Sequence, residues 1–177
     1  MASDVSRQRF GELFQSLDRN GDGFVDGDDY EVVVQSLAQR RNLQPGSPEL
    51  EDVRAKVMHG WEGLRELGDV DGDGRVTRDE FVESLAALAE TSEGIDRIGL
   101  SIADQLITAM DVDGDGRLDL EEFVDMMVVF GAAADRVEAQ FRHIDADSDG
   151  FVTRDELLAS MRRFFLDEDP SALHVYG

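Results

Sequence analysis

The chain has 177 residues, 41% of them hydrophobic, and its 40 acidic side chains outnumber 17 lysines and arginines to leave a formal charge of −23. Such a charge excludes nucleic acid and anionic membrane surfaces as partners and attracts cations, while the apolar fraction is too high for a disordered acidic tail. With no cysteine in the chain, disulfides, thiolate catalysis and Cys-ligated zinc are excluded.

Read from its start, MASDVSRQRF carries no apolar leader, and nowhere do about 18 apolar residues run together, so no membrane span and a cytoplasmic address are expected. Phe10, Leu13, Phe14 and Leu17 recur at helical spacing and predict the first helix. It leads into DRNGDGFVDGDD, Asp18 to Asp29, after which Tyr30, Val33, Val34 and Leu37 predict a second helix. NLQPGSP, Asn42 to Pro48, must end that helix because proline removes a donor and clashes with the preceding turn. The helix expected next carries Trp61 and Leu64, but Arg65 and Gly68 fall where apolar residues belong. Gly60, Gly63 and Gly68 also lower its helix propensity, so a kink or a shift in phase is expected there.

DVDGDGRVTRDE, Asp69 to Glu80, follows, and TSEG, Thr91 to Gly94, reads as a short break. Leu106, Ile107 and Met110 lead into DVDGDGRLDLEE, Asp111 to Glu122, and Phe123, Met126, Met127 and Phe130 lead away from it. GAAAD, Gly131 to Asp135, reads as another break. Val137, Phe141 and Ile144 then precede DADSDGFVTRDE, Asp145 to Glu156, with Leu157, Met161 and Phe164 after it. In the tail LDEDPSALHVYG, Leu173, Val175 and Tyr176 are expected to fold back onto apolar surface.

The four acidic segments align without gaps over twelve residues at shrinking intervals, as expected for helix–loop–helix units on unequal linkers rather than for a solenoid. Their spacing suits a hard divalent cation, which takes six to eight oxygens at roughly 2.3–2.6 Å. Positions one, three and five supply Asp18, Asn20 and Asp22; Asp69, Asp71 and Asp73; Asp111, Asp113 and Asp115; and Asp145, Asp147 and Asp149. Position six is Gly23, Gly74, Gly116 or Gly150, where the chain must turn sharply. Position seven offers a backbone carbonyl, from Phe24, Arg75, Arg117 and Phe151, so its side chain can vary. Position twelve reaches in from the following helix with Asp29, Glu80, Glu122 and Glu156.

The first loop departs twice, with Asn20 in place of an aspartate and Asp29 one methylene shorter than a glutamate. It is therefore expected to bind Ca2+ most weakly and to discriminate least against Mg2+. Position eight is apolar throughout, as Val25, Val76, Leu118 and Val152, and predicts a two-residue antiparallel bridge between paired loops. His59, His143 and His174 are scattered and read as surface or filler residues. No Ser–His–Asp order, phosphate-cradling glycine loop or H-E-x-x-H is present, so an enzyme is rejected as a reading. Met126 and Met127 fit a core seam, and Trp61 reads as core or as a lid.

On these four loops the sequence resembles the EF-hand superfamily over nearly its whole length. The loop spacing, short middle linker and acidic tail are similar to those of the sarcoplasmic calcium-binding proteins and calerythrin. Intact motifs in all four loops, and glycines in the second entering helix, depart from that group. The fold class expected is all-α, with four EF-hand units in two paired lobes packed compactly. The N-terminal pair spans residues 1–92 (loops 18–29 and 69–80), the C-terminal pair 93–166 (loops 111–122 and 145–156), and the tail 167–177. The resemblance implies calcium buffering or transport; the loops themselves imply up to four Ca2+, and a monomer is expected. The alternative is a sensor that exposes an apolar groove to a target protein.

Overall fold

The structure is a computed structural model that describes residues 4–129, 132 and 134–166. The expected docking of the tail, with Leu173, Val175 and Tyr176, lies outside these residues, as do Gly131 and Ala133 of the expected Gly131–Asp135 break, whose Ala134 and Asp135 begin a helix. The chain divides into two compact units, Met1–Glu90 and Thr91–Gly177.

The first unit holds α1 (Asp4–Leu17), β1 (Phe24–Val25), α2 (Gly27–Arg40), α3 (Pro48–Gly68), β2 (Val76–Thr77) and α4 (Arg78–Leu88). Side-chain oxygens start the helices: Asp26 caps α2, Ser47 caps α3 with Pro48 in its first turn, and Thr77 caps α4. Helix α1 packs on α4, and the Phe14 and Phe81 rings meet edge-on at 5.8 Å in the buried seam. Helix α2 packs on α3, burying Val33, Val34 and Leu37 of one and Leu50, Val53, Val57 and Trp61 of the other. Each seam is flanked by an ion pair, Arg7 with Glu83 and Arg54 with Glu31.

The expected irregularity of α3 is absent. It is one 21-residue helix whose buried positions, Leu50, Val53, Val57, Gly60, Trp61 and Gly68, keep helical phase. Gly68 belongs to the buried stripe because Val76 approaches it so closely that a Cβ there would lie 2.9 Å from Val76 Cγ1. The glycine that weakens the helix in isolation is required by the strand behind it.

The second unit holds α5 (Ser92–Met110), α6 (Leu120–Val129), α7 (Ala134–Ile144) and α8 (Arg154–Leu166). The TSEG segment stands at the boundary between the two units and is also a helix start. Thr91 accepts from the Gly94 N–H at 3.0 Å, and Ser92 to Gly94 form the first turn of α5. Helix α5 packs on α8 at Gly99, where a Cβ would lie 2.7 Å from Leu158 Cδ1. Asp104–Arg154 and Asp96–Arg162 pairs flank that seam. Helix α6 packs on α7, with the Phe123 and Phe141 rings edge-on at 5.4 Å.

Paired loops join through short bridges. β1 and β2 are antiparallel with Phe24 opposite Thr77 and Val25 opposite Val76. Leu118 and Val152 exchange N–H to carbonyl bonds of 2.9 and 2.8 Å. All four position-eight side chains are fully buried, which explains why polar loops carry an apolar residue there.

Candidate metal centres

Each twelve-residue loop is wrapped around its own carboxylates. The position-one aspartate takes the N–H of position six on one oxygen: Gly23 to Asp18 at 3.0 Å, Gly74 to Asp69 at 3.1 Å, Gly116 to Asp111 at 2.9 Å and Gly150 to Asp145 at 3.1 Å. Position three accepts from the position-five N–H, as Asn20 Oδ1 does from Asp22 at 2.8 Å and Asp113 does from Asp115 at 3.1 Å. Position five accepts from the position-seven N–H, so Phe24, Arg75, Arg117 and Phe151 donate at 2.9–3.0 Å to Asp22, Asp73, Asp115 and Asp149. These bonds aim side-chain oxygens inward while the backbone turns outside them.

The wrapping needs left-handed backbone at two places per loop. Position four is Gly21, Gly72 and Gly114 at φ 73–77° in the first three loops, whereas the fourth loop puts Ser148 there at φ 60°. The sequence reading stressed position six alone. The serine in DADSDG, where the other loops have glycine, was the available signal.

Position-twelve side chains span the loop. Glu122 accepts from the Val112 N–H at 2.6 Å and the Asp119 N–H at 3.0 Å. Glu156 accepts from Ala146 and Thr153 N–H groups, both at 2.9 Å. Glu80 accepts from the Thr77 N–H at 2.9 Å and its hydroxyl at 2.7 Å, which holds its carboxyl below the ordinary range. Burial opposes ionisation of Glu156, but hydrogen bonds led by the Thr153 N–H and hydroxyl outweigh it and set that carboxyl low. Asp29, despite its shorter arm, reaches Arg19 N–H at 2.8 Å, Asn20 N–H at 3.1 Å and Asp26 N–H at 2.9 Å. It is fully buried, and burial pushes its carboxyl up against those three donors. Asp29 and Glu80 also complete capping boxes at the starts of α2 and α4.

Three loops bring carboxylate oxygens within 4.8 Å of one another: Asp69, Asp71 and Asp73; Asp111, Asp113 and Glu122; and Asp145, Asp147 and Glu156. Oxygens bound to one calcium ion at about 2.3–2.6 Å are at most about 5 Å apart, so these groups lie within the span of one ion's coordination shell. The donors are all hard oxygens, unsuited to soft metals. In the first loop Asn20 interrupts the carboxylate series, and its amide donates to Asp22 at 3.1 Å.

Position-seven side chains pair across the bridges, which the sequence reading did not anticipate. The Arg75 guanidinium carbon lies 4.1 Å from the centre of the Phe24 ring, and that of Arg117 lies 3.8 Å from the centre of the Phe151 ring. Each lobe sets one arginine against one phenylalanine, a pattern visible only when the loops are aligned as partners.

A family model of the EF-hand domain pair matches residues 7–86 and 67–128, and an EF-hand model matches residues 137–161. The chain belongs to the EF-hand family. This EF-hand protein is 35% identical over 81 residues to a guanylyl cyclase inhibitory protein of Lithobates pipiens, a match covering 46% of this chain and about a third (32%) of that protein. Its fold matches a Streptomyces coelicolor calcium-binding protein studied for prokaryotic calcium-mediated regulation, with a TM-score of 0.72, 26% identity, and coverage of 90% of this chain and 97% of that one. It also matches an amphioxus sarcoplasmic calcium-binding protein, with a TM-score of 0.65, 21% identity, and coverage of 93% and 91%. The EF-hand protein is all-α apart from its loop bridges and binds calcium through its EF-hands. Among the described residues no helix is long and apolar enough to cross a membrane.

Proposed function

We propose that the four loops hold up to four calcium ions and that the protein buffers calcium as a cytoplasmic monomer without catalytic activity. The single observation that carries the reading is the convergence of carboxylates within 4.8 Å in three loops that share one hydrogen-bonding scheme with the first. The ligands are the side chains at positions one, three, five and twelve and the carbonyls of Phe24, Arg75, Arg117 and Phe151. In the first loop Asp29 keeps the same backbone anchors as the glutamates, so that site is included as the weakest for Ca2+ and the most open to Mg2+. Four divalent ions would bring the formal charge from −23 to about −15 and stabilise the fold by binding it in preference to the unfolded chain.

Buffering is favoured over target binding by where the apolar side chains lie. Met110, Met126 and Met127 are buried, and the large apolar residues that stand exposed among those described are Val5, Leu67, Val70, Val112 and Leu120, with no methionine or aromatic ring. A sensor reading draws on one observation, the regulatory setting of the Streptomyces relative. Equilibrium dialysis at micromolar free calcium tests the binding, with three to four ions retained as the expected result and none as the result that overturns it. Dye binding by ANS, first with Mg2+ and then with added Ca2+, tests the role. A large calcium-specific rise would reject the buffer.

A further inference from the structure

The C-terminal pair of loops carries a positive charge at its centre. Arg117 stands one residue before the bridging Leu118, and Phe151 one residue before its partner Val152. The bridge sets the Arg117 guanidinium over the Phe151 ring at 3.8 Å. From that seat Nε and Nη2 donate to Asp115 Oδ2 at 3.3 and 2.8 Å, and Nη1 lies 3.9 Å from Asp149 Oδ2. Asp115 is position five of the third loop and Asp149 is position five of the fourth. Each aspartate gives Oδ1 to a backbone N–H, of Arg117 and Phe151 respectively, at 2.9 Å. The oxygen left over in each case is the one that faces the guanidinium. The converging carboxylates in these loops are Asp111, Asp113 and Glu122, and Asp145, Asp147 and Glu156, while Asp115 and Asp149 face Arg117.

We propose that the Arg117 side chain is a shared internal counter-cation of the third and fourth loops, seated on Phe151, that weakens divalent-ion binding at both. It rests on the reading that these loops bind calcium. The effect has two parts with the same sign. The guanidinium occupies ligand oxygens that an incoming ion would use, and it repels that ion once bound. It also offsets repulsion among the loop carboxylates, so it favours the ion-free protein over the loaded one. A divalent charge roughly 7 Å from a guanidinium in near-aqueous dielectric loses about three- to tenfold in affinity. The N-terminal pair repeats the stack with Arg75 on Phe24, but there the guanidinium lies 3.4 Å from Asp73 of its own loop. Sharing between loops is therefore assigned to Arg117 alone.

The test is a calcium titration of the full chain against a competing chelator, read by NMR at the position-six amides of Gly23, Gly74, Gly116 and Gly150. Each glycine reports its own loop. Arg117→Met, which keeps an apolar stem over Phe151, should tighten the responses of Gly116 and Gly150 together by about three- to tenfold. Gly23 and Gly74 should not move. The gain should shrink in 0.5 M KCl, where charges separated by more than about 4–5 Å are screened. Arg117→Lys, which keeps the charge, should stay near wild type at both loops, and it serves as the reference should the methionine variant fold poorly. No change, a change confined to Gly116, or looser binding at both loops would each overturn the proposal, the last by making Arg117 a purely structural residue. A wild-type protein in which no glycine responds to calcium would instead defeat the calcium reading itself, so the two failures are told apart.

Discussion

Replacing Gly68 with alanine puts a methyl group where α3 meets β2. The added Cβ would lie 2.9 Å from Val76 Cγ1 and 3.3 Å from Cγ2, well inside the 3.5–4.0 Å optimum for carbon pairs. Val76 has little room to yield: it is fully buried, β-branched and paired to Val25 through the bridge. Overpacking of this kind costs about 1–3 kcal/mol. Against it stands the better helix propensity of alanine, at most about 1 kcal/mol, and less for the last residue of a helix. Packing therefore wins, by roughly 1–2 kcal/mol. For a unit of this size each kcal/mol lowers Tm by about 4–8 °C. Calorimetric melts of the full chain in chelator should show the N-terminal transition falling while the C-terminal one holds. Gly27→Ala is the control, since its Cβ would meet nothing nearer than Met58 Cε at 3.6 Å. A Gly68→Ala protein as stable as wild type would refute the close-approach account and restore the reading of Gly68 as a mere helix weakener.

Ser148→Gly removes a side chain from left-handed backbone and should stabilise the C-terminal unit by about 0.5–1 kcal/mol after the added chain entropy of glycine, seen as a higher urea midpoint. Asp29→Glu should tighten calcium at the first loop and raise its selectivity over Mg2+ in competition titrations, because the longer arm extends the carboxylate beyond its backbone anchors. Hydrogen bonding to Arg162 and Arg7 sets Asp96 and Glu83 below their ordinary ranges. Their folded pKa values lie under the unfolded ones, so their contribution is present at neutral pH and lost as pH falls through the folded values. Arg162→Gln should flatten the acid limb of Tm against pH as pH falls through and below the ordinary aspartate range.

Loop register was legible because it depends on residues close in sequence. Asp18 and Gly23, joined by a hydrogen bond, are only five positions apart. The apolar position eight was readable for a different reason: a buried Val25 or Leu118 inside a charged loop has no local explanation. What escaped depended on contacts and backbone angles that exist only in the folded chain. Gly68 reads as a flaw until Val76 is placed behind it, and Thr91 reads as a linker residue until its bond to Gly94 makes it a cap. The position-seven side chains read as free to vary until the bridge brings the phenylalanine of the other loop under each arginine. Ser148 was missed although the aligned loops signal it, three of them carrying glycine at that position.

Asp29 and Glu80 each fasten the first turn of the helix that follows and also extend into the loop that precedes it. The costly event in making a helix is nucleation, fixing the first few residues for a single bond. In α2 and α4 the atoms that secure the nucleus are the atoms a cation would draw on. Loop and helix therefore form one cooperative unit of local opening, and hydrogen exchange should report protection for both or for neither.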